Sequence, residues 1–165
     1  MALVRPSFPR AAAALLALGV LSAFAVAGAG SPRQAREDLA NGGALDSPDA
    51  YGRLTVKDYP VVGNRPARSW VRLQAWKLER GEDFTMYLDD PTVEGDDFQP
   101  WGDSIAARGN GNINFRVDTK KGGALPFGKT ADELAGAQFQ LRDGEGNIVL
   151  TGVFPTLPPV EPPVE

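Results

Sequence analysis

The chain has 165 residues, 17 basic and 21 acidic side chains, a net charge of −4, and neither histidine nor cysteine. Those absences remove disulfide cross-links, Ser-His-Asp and Cys-His nucleophile systems, imidazole general bases, and zinc or copper sites built on imidazole or thiolate. The acidic excess argues against nucleic acid or anionic lipid as the main partner, since both select a basic surface. It leaves carboxylate chemistry and oxygen-ligated calcium open.

In chain order, the first expected element is a leader. Arg5 and Arg10 precede a small and apolar run, 11–30, that ends in Ala25-Val26-Ala27 and Ala27-Gly28-Ala29. A positive start, an apolar middle and a small-x-small end make the three-part secretory signal, so 1–29 is predicted to be a signal peptide. The domain is then secreted or sits on the exterior of the cell envelope. An uncleaved anchor is the alternative, because about 20 apolar residues can span a bilayer; only in that case would the chain hold a membrane. Losing Arg5 and Arg10 takes the 17 basic residues to 15 against 21 acidic ones, and the net charge from −4 to −6.

Residues 30–50 read as a flexible linker, rich in Ala, Gly, Asp and Arg, with Pro32 and Pro48 and little apolar periodicity. From 51 to 155 the chain alternates with the two-residue period of strands. Leu54 and Val56 mark a strand over 52–57. A second, 70–78, sets Val71, Leu73 and Ala75 on one face; Trp76 and Leu78 break that parity, which predicts a bulge near 75–76. After a glycine turn at 79–83, Phe84, Met86 and Leu88 point inward and Thr85 and Tyr87 outward, giving a 70–88 hairpin.

An acidic loop, 89–102, and a weak strand, 103–107, lead to an Arg-Gly-Asn-Gly-Asn turn at 108–112. Ile113, Phe115 and Val117 alternate as the next strand. In 130–136, Thr130 and Glu133 stand at capping-box spacing and Gly136 can close one short helical turn. A hairpin over 137–154 turns at Asp143-Gly144-Glu145-Gly146-Asn147. The remainder, 156–165, holds proline at a density that favours extended polyproline II and a disordered tail.

Six or seven short strands in about 100 residues predict an all-β fold, a small antiparallel two-sheet sandwich of immunoglobulin-like type. Its expected core is Val71, Leu73, Trp76, Leu78, Phe84, Met86, Leu88, Ile113, Phe115, Val117, Phe139, Leu141, Ile148 and Leu150.

The run Gly111-Asn112-Ile113-Asn114-Phe115-Arg116-Val117-Asp118-Thr119, followed by Leu125-Pro126-Phe127-Gly128, Leu134-Ala135-Gly136 and Leu141-Arg142-Asp143, resembles a small module recurring in exported bacterial proteins. The likeness covers roughly 70–155. It implies a strand ending in Asp-Thr, a Leu-Pro-Phe-Gly loop, a Leu-x-Gly turn and a closing hairpin. It implies no activity and no site.

Two constellations offer chemistry. Asp89, Asp90, Glu94, Asp96 and Asp97 crowd one loop, and clustered carboxylates with backbone carbonyls can ligate calcium, although this spacing matches no EF-hand or nonapeptide repeat. A solvated acidic loop that discourages edge pairing is the plainer reading. Trp101, between Pro100 and Gly102, is the expected exposed aromatic platform for a sugar ring, whereas Trp76 is expected in the core. Asp118 and Thr119 are expected to bond backbone amides at a strand end. The composite expectation is an exported, non-enzymatic module with a structural or interaction role toward an unknown protein or cell-surface partner and no resident cofactor. A calcium-dependent or carbohydrate-binding domain is the alternative.

Overall fold

The computed structural model describes residues 32–160. The expected signal peptide, and 161–165 of the expected tail, lie outside the described residues. Nine strands follow one another: β1 (Arg33–Asn41), β2 (Tyr51–Tyr59), β3 (Arg68–Trp76), β4 (Asp83–Asp89), β5 (Phe98–Pro100), β6 (Ile105–Ala106), β7 (Ile113–Asp118), β8 (Gln138–Arg142) and β9 (Ile148–Val153). The only helical segments described are two 3-10 turns, Thr119–Lys121 and Pro126–Gly128. Among the described residues no helix is long and apolar enough to cross a membrane.

All pairings are antiparallel, in the order β5-β4-β8-β9-β1-β2-β3-β7, with β6 also paired to β4. One sheet curls into a half-barrel around the core, where two separate layers were expected. The curl is made by β1. Its residues 33–39 pair with β2, while Ala40 and Asn41 pair with β9. Gly42 extends that second contact, donating to the Val149 carbonyl at 2.8 Å. A Cβ on Gly42 would collide with the Ile148 carbonyl, so glycine is required where the chain passes from one half to the other.

The expected linker at 30–50 is thereby corrected. It contains a central strand, in which Arg33, Ala35, Glu37 and Leu39 are less exposed than their neighbours. Two of those four are charged, so the segment reads as polar although it alternates. The start of the expected tail is corrected as well, because Leu157 is buried and belongs to the core cluster.

Strand parity located most of the core. Val71, Leu73, Ala75, Phe84, Met86, Leu88, Ile113, Phe139, Leu141 and Leu150 are buried. Phe115 is only partly buried, and Val149 rather than Ile148 faces inward, because the β8–β9 register shifts between Leu141 and Arg142. The bulge therefore lies there, and β3 pairs with β2 in unbroken register through Trp76.

The parity of β3 breaks one residue later. Lys77 adopts φ of 58°, and Leu78 turns inward with its amide donating to the Gly111 carbonyl at 2.9 Å. Gly111 has a positive φ and no room for a Cβ against the Leu78 carbonyl. This turn sends the chain across the fold, so β3 and β4 do not form the expected hairpin. β3 pairs with β2 and β7, and β4 with β8, β5 and β6. The 137–154 hairpin forms as expected. The capping box at 130–136 also forms, with the Thr130 amide donating to Glu133 Oε2 at 2.7 Å, in a turn rather than a full helix.

A candidate interaction surface

The expected calcium ligands do not converge. Asp89 Oδ1 accepts the Asp97 amide at 2.7 Å, and Asp90 Oδ1 accepts the Thr92 amide at 2.9 Å and its hydroxyl at 2.7 Å. Asp97 Oδ1 accepts from Gln99 Nε2, and Glu94 and Asp96 are exposed. The Thr92 hydroxyl and amide, with Lys129 Nζ 3.4 Å away, hold Asp90 below the usual aspartate range. Asp89, Asp90 and Asp97 bond the loop's own donors. Among the described residues no group of three or more acidic side chains is placed to hold a metal ion.

The two tryptophan expectations are reversed. Trp101 is 6% exposed, its ring centroid 6.4 Å from that of the buried Phe154. Pairing of Tyr87 with Pro100 and of the Trp101 amide with the Met86 carbonyl carries it inward past the end of β5. Trp76 is on the outer face of β3, half-buried and stacked on Tyr51 at 5.2 Å.

That outer face is the feature that strand-by-strand reading did not assemble. Register places Gln34, Lys57, Trp70 and Asp118 side by side across β1, β2, β3 and β7. The next row is Arg36, Thr55, Arg72 and Arg116, and the third is Asp38, Arg53, Gln74 and Asn114. Tyr59 pairs with Arg68 at the strand ends. Arg36, Arg53, Lys57, Arg68, Arg72 and Arg116 thus share one face with only two carboxylates, Asp38 and Asp118, on a chain whose net charge is −4. β2, β3 and β7 each carried a signal, since their outward positions alternate with apolar ones; only the pairing shows that they form one array with β1.

Asp118 anchors the array. It is 5% exposed and takes a two-pronged contact from Arg68, Nε at 2.9 Å and Nη2 at 2.5 Å, with Arg116 at 3.2 Å. The Arg68 bond, together with the Lys120 amide, holds its carboxyl below the usual aspartate range. Thr119 accepts the Ser69 amide at 3.0 Å and donates to the Ser69 carbonyl, so the Asp-Thr pair ties the end of β7 to β3 in the structural role expected of it. Aromatic rings lie beneath the cations: Arg116 is 4.6 Å from the Trp70 ring centroid, and Arg68 and Lys57 are 5.5 and 5.3 Å from that of Tyr59. The Trp70 side chain, followed by Lys57 and Arg68, holds the Tyr59 phenol below its ordinary range.

Behind Arg116, a groove of about 540 Å³ is lined by Trp101, Phe115, Asp118, Lys121 and Leu125. Elsewhere, a cleft of about 350 Å³ gathers Asp46, Glu79, Glu82, Asp143 and Glu145. Positive and negative side chains therefore occupy different parts of the surface. No protein family, curated protein or solved structure matches this chain.

Proposed function

We propose that this chain is an exported, non-catalytic interaction module that works through the outer face of β1, β2, β3 and β7. The observation that carries the reading is the concentration of six cations on one sheet face of an acidic chain. A charge surplus on an ordered sheet is a steering and docking surface, because it raises the local concentration of an opposite partner and fixes its orientation. The sequence supports the non-catalytic part, having no histidine or cysteine to serve as base or thiolate nucleophile. The leader pattern supports export. Within the all-β class we read the curled sheet as a variant of the immunoglobulin-like sandwich, with β1 shared between halves that stand for its two layers.

The test is retention of the labelled full chain on envelopes of the cells that export it. Replacing Arg36 and Arg72 by Gln is expected to release most of the bound protein at physiological salt. Undiminished retention would reject this face as the interaction surface.

A further inference from the structure

Resting on that reading of the face, we infer that its ligand is an acidic polysaccharide, whose sugar carboxylates pair with Arg36 and Arg72 in the row that ends at the Asp118-bound Arg116. Adjacent strands lie about 4.8 Å apart, so the backbones of Arg72 and Arg116 are separated by about 5 Å and those of Arg36 and Arg72 by about 10 Å. A chain laid across the strands meets cations at intervals along a line of about 15 Å, three strand spacings. Guanidinium forks match carboxylates in a planar, two-pronged geometry. Among the described residues Arg36, Lys57 and Arg72 have no carboxylate partner, whereas Arg53 is paired with Asp38 and both Arg68 and Arg116 with Asp118. The unpaired cations are the surplus available to a ligand.

The same face carries Gln34, Gln74 and Asn114 between the cations, with Asn114 Oδ1 accepting from Arg72 Nε at 2.9 Å. Neutral amides suit sugar hydroxyls, so the mixture fits a polymer that alternates charge with uncharged polar groups. Single-stranded nucleic acid is disfavoured because its binding sites use open aromatic faces as stacking platforms, whereas Arg116 covers Trp70, and Arg68 and Lys57 cover Tyr59.

The experiment titrates the full chain with polygalacturonate, its methyl-esterified form and a single-stranded thymidine oligonucleotide at low salt. Polygalacturonate is expected to bind at least tenfold more tightly than either of the others. Arg36→Gln with Arg72→Gln is expected to weaken it at least tenfold with an unchanged melting temperature. Arg80→Gln with Arg108→Gln, an equal charge change at exposed sites elsewhere, is expected to change it less than twofold.

Three results would overturn the inference: no binding of polygalacturonate, equal binding of the oligonucleotide, or equal weakening by the control pair. So would salt-sensitive self-association abolished by the Arg36 and Arg72 substitutions, which would assign the face to the acidic cleft of a second copy. If polygalacturonate fails while envelope retention still depends on Arg36 and Arg72, the glycan falls and the surface stands. If neither depends on them, both readings fall.

Discussion

Carboxylates on the two sides of the curled sheet are used differently. In the half built from β1, β2, β3 and β7, Asp118 takes Arg68 and Arg116, and two rows away Asp38 pairs with Arg53. Around β4, β8 and β9, Asp89 and Asp143 accept backbone amides, the latter from Glu145 and Asn147. A carboxylate that bonds a guanidinium cancels charge, and one that bonds an amide keeps all of its own. A modest net charge therefore conceals a chain with a basic sheet face and acidic loops and cleft. Bulk charge is a statement about solubility and long-range approach, and distribution decides which partner can dock.

The largest expected effect comes from removing what joins the halves. A chain shortened to 51–155 loses β1, leaving β2 and β9 as open edges and deleting the buried Leu39. Since whole domains are stable by only about 5–15 kcal/mol, this fragment should lack a cooperative thermal transition by circular dichroism. A normal transition would show that the halves do not depend on their shared strand.

A paired set of truncations sharpens the contrast in burial. Phe139→Ala and Trp101→Ala, both in the core, should each cost about 3–5 kcal/mol in denaturant unfolding, the usual loss for a buried aromatic. Phe115→Ala should cost about 1–2 kcal/mol and Trp76→Ala about 1 kcal/mol, because a half-buried ring loses less area and one stacking contact. A Trp76 cost equal to that of Trp101 would return Trp76 to the core.

The smallest effect is in acid. Asp118 is held below the ordinary aspartate value of 3.8 by its bond to Arg68. A depressed carboxylate contributes stability that is complete above the unfolded value and is lost as pH falls through the lower folded value. Asp118→Asn should therefore be less stable than the native chain at neutral pH, with the gap closing as pH drops below about 3.8, as read from urea midpoints. A gap that is constant with pH would mean the pairing with Arg68 contributes nothing through charge.

Much of the architecture was legible residue by residue. The alternation in β3, β4 and β7 set the inward faces, and Asp143 with Asn147 marked the closing turn. The Thr130–Glu133 capping box was visible because both partners are local. β1 was hidden because Arg33 and Glu37 occupy inward positions at the edge of the core. The outer cation face was hidden for another reason: its six members come from four strands, one of which, β7, is separated from the others by a long stretch of chain.

The sequence by itself determined the β class, the turn positions and which side of most strands is apolar, because those follow from a two-residue period and from local backbone preferences. Tertiary structure alone decided that β1 joins the halves, that Trp101 is covered while Trp76 is not, and that Arg36, Arg72 and Arg116 share a row. Each of these depends on strand register between distant segments, and a one-residue slip would send every such side chain to the opposite face.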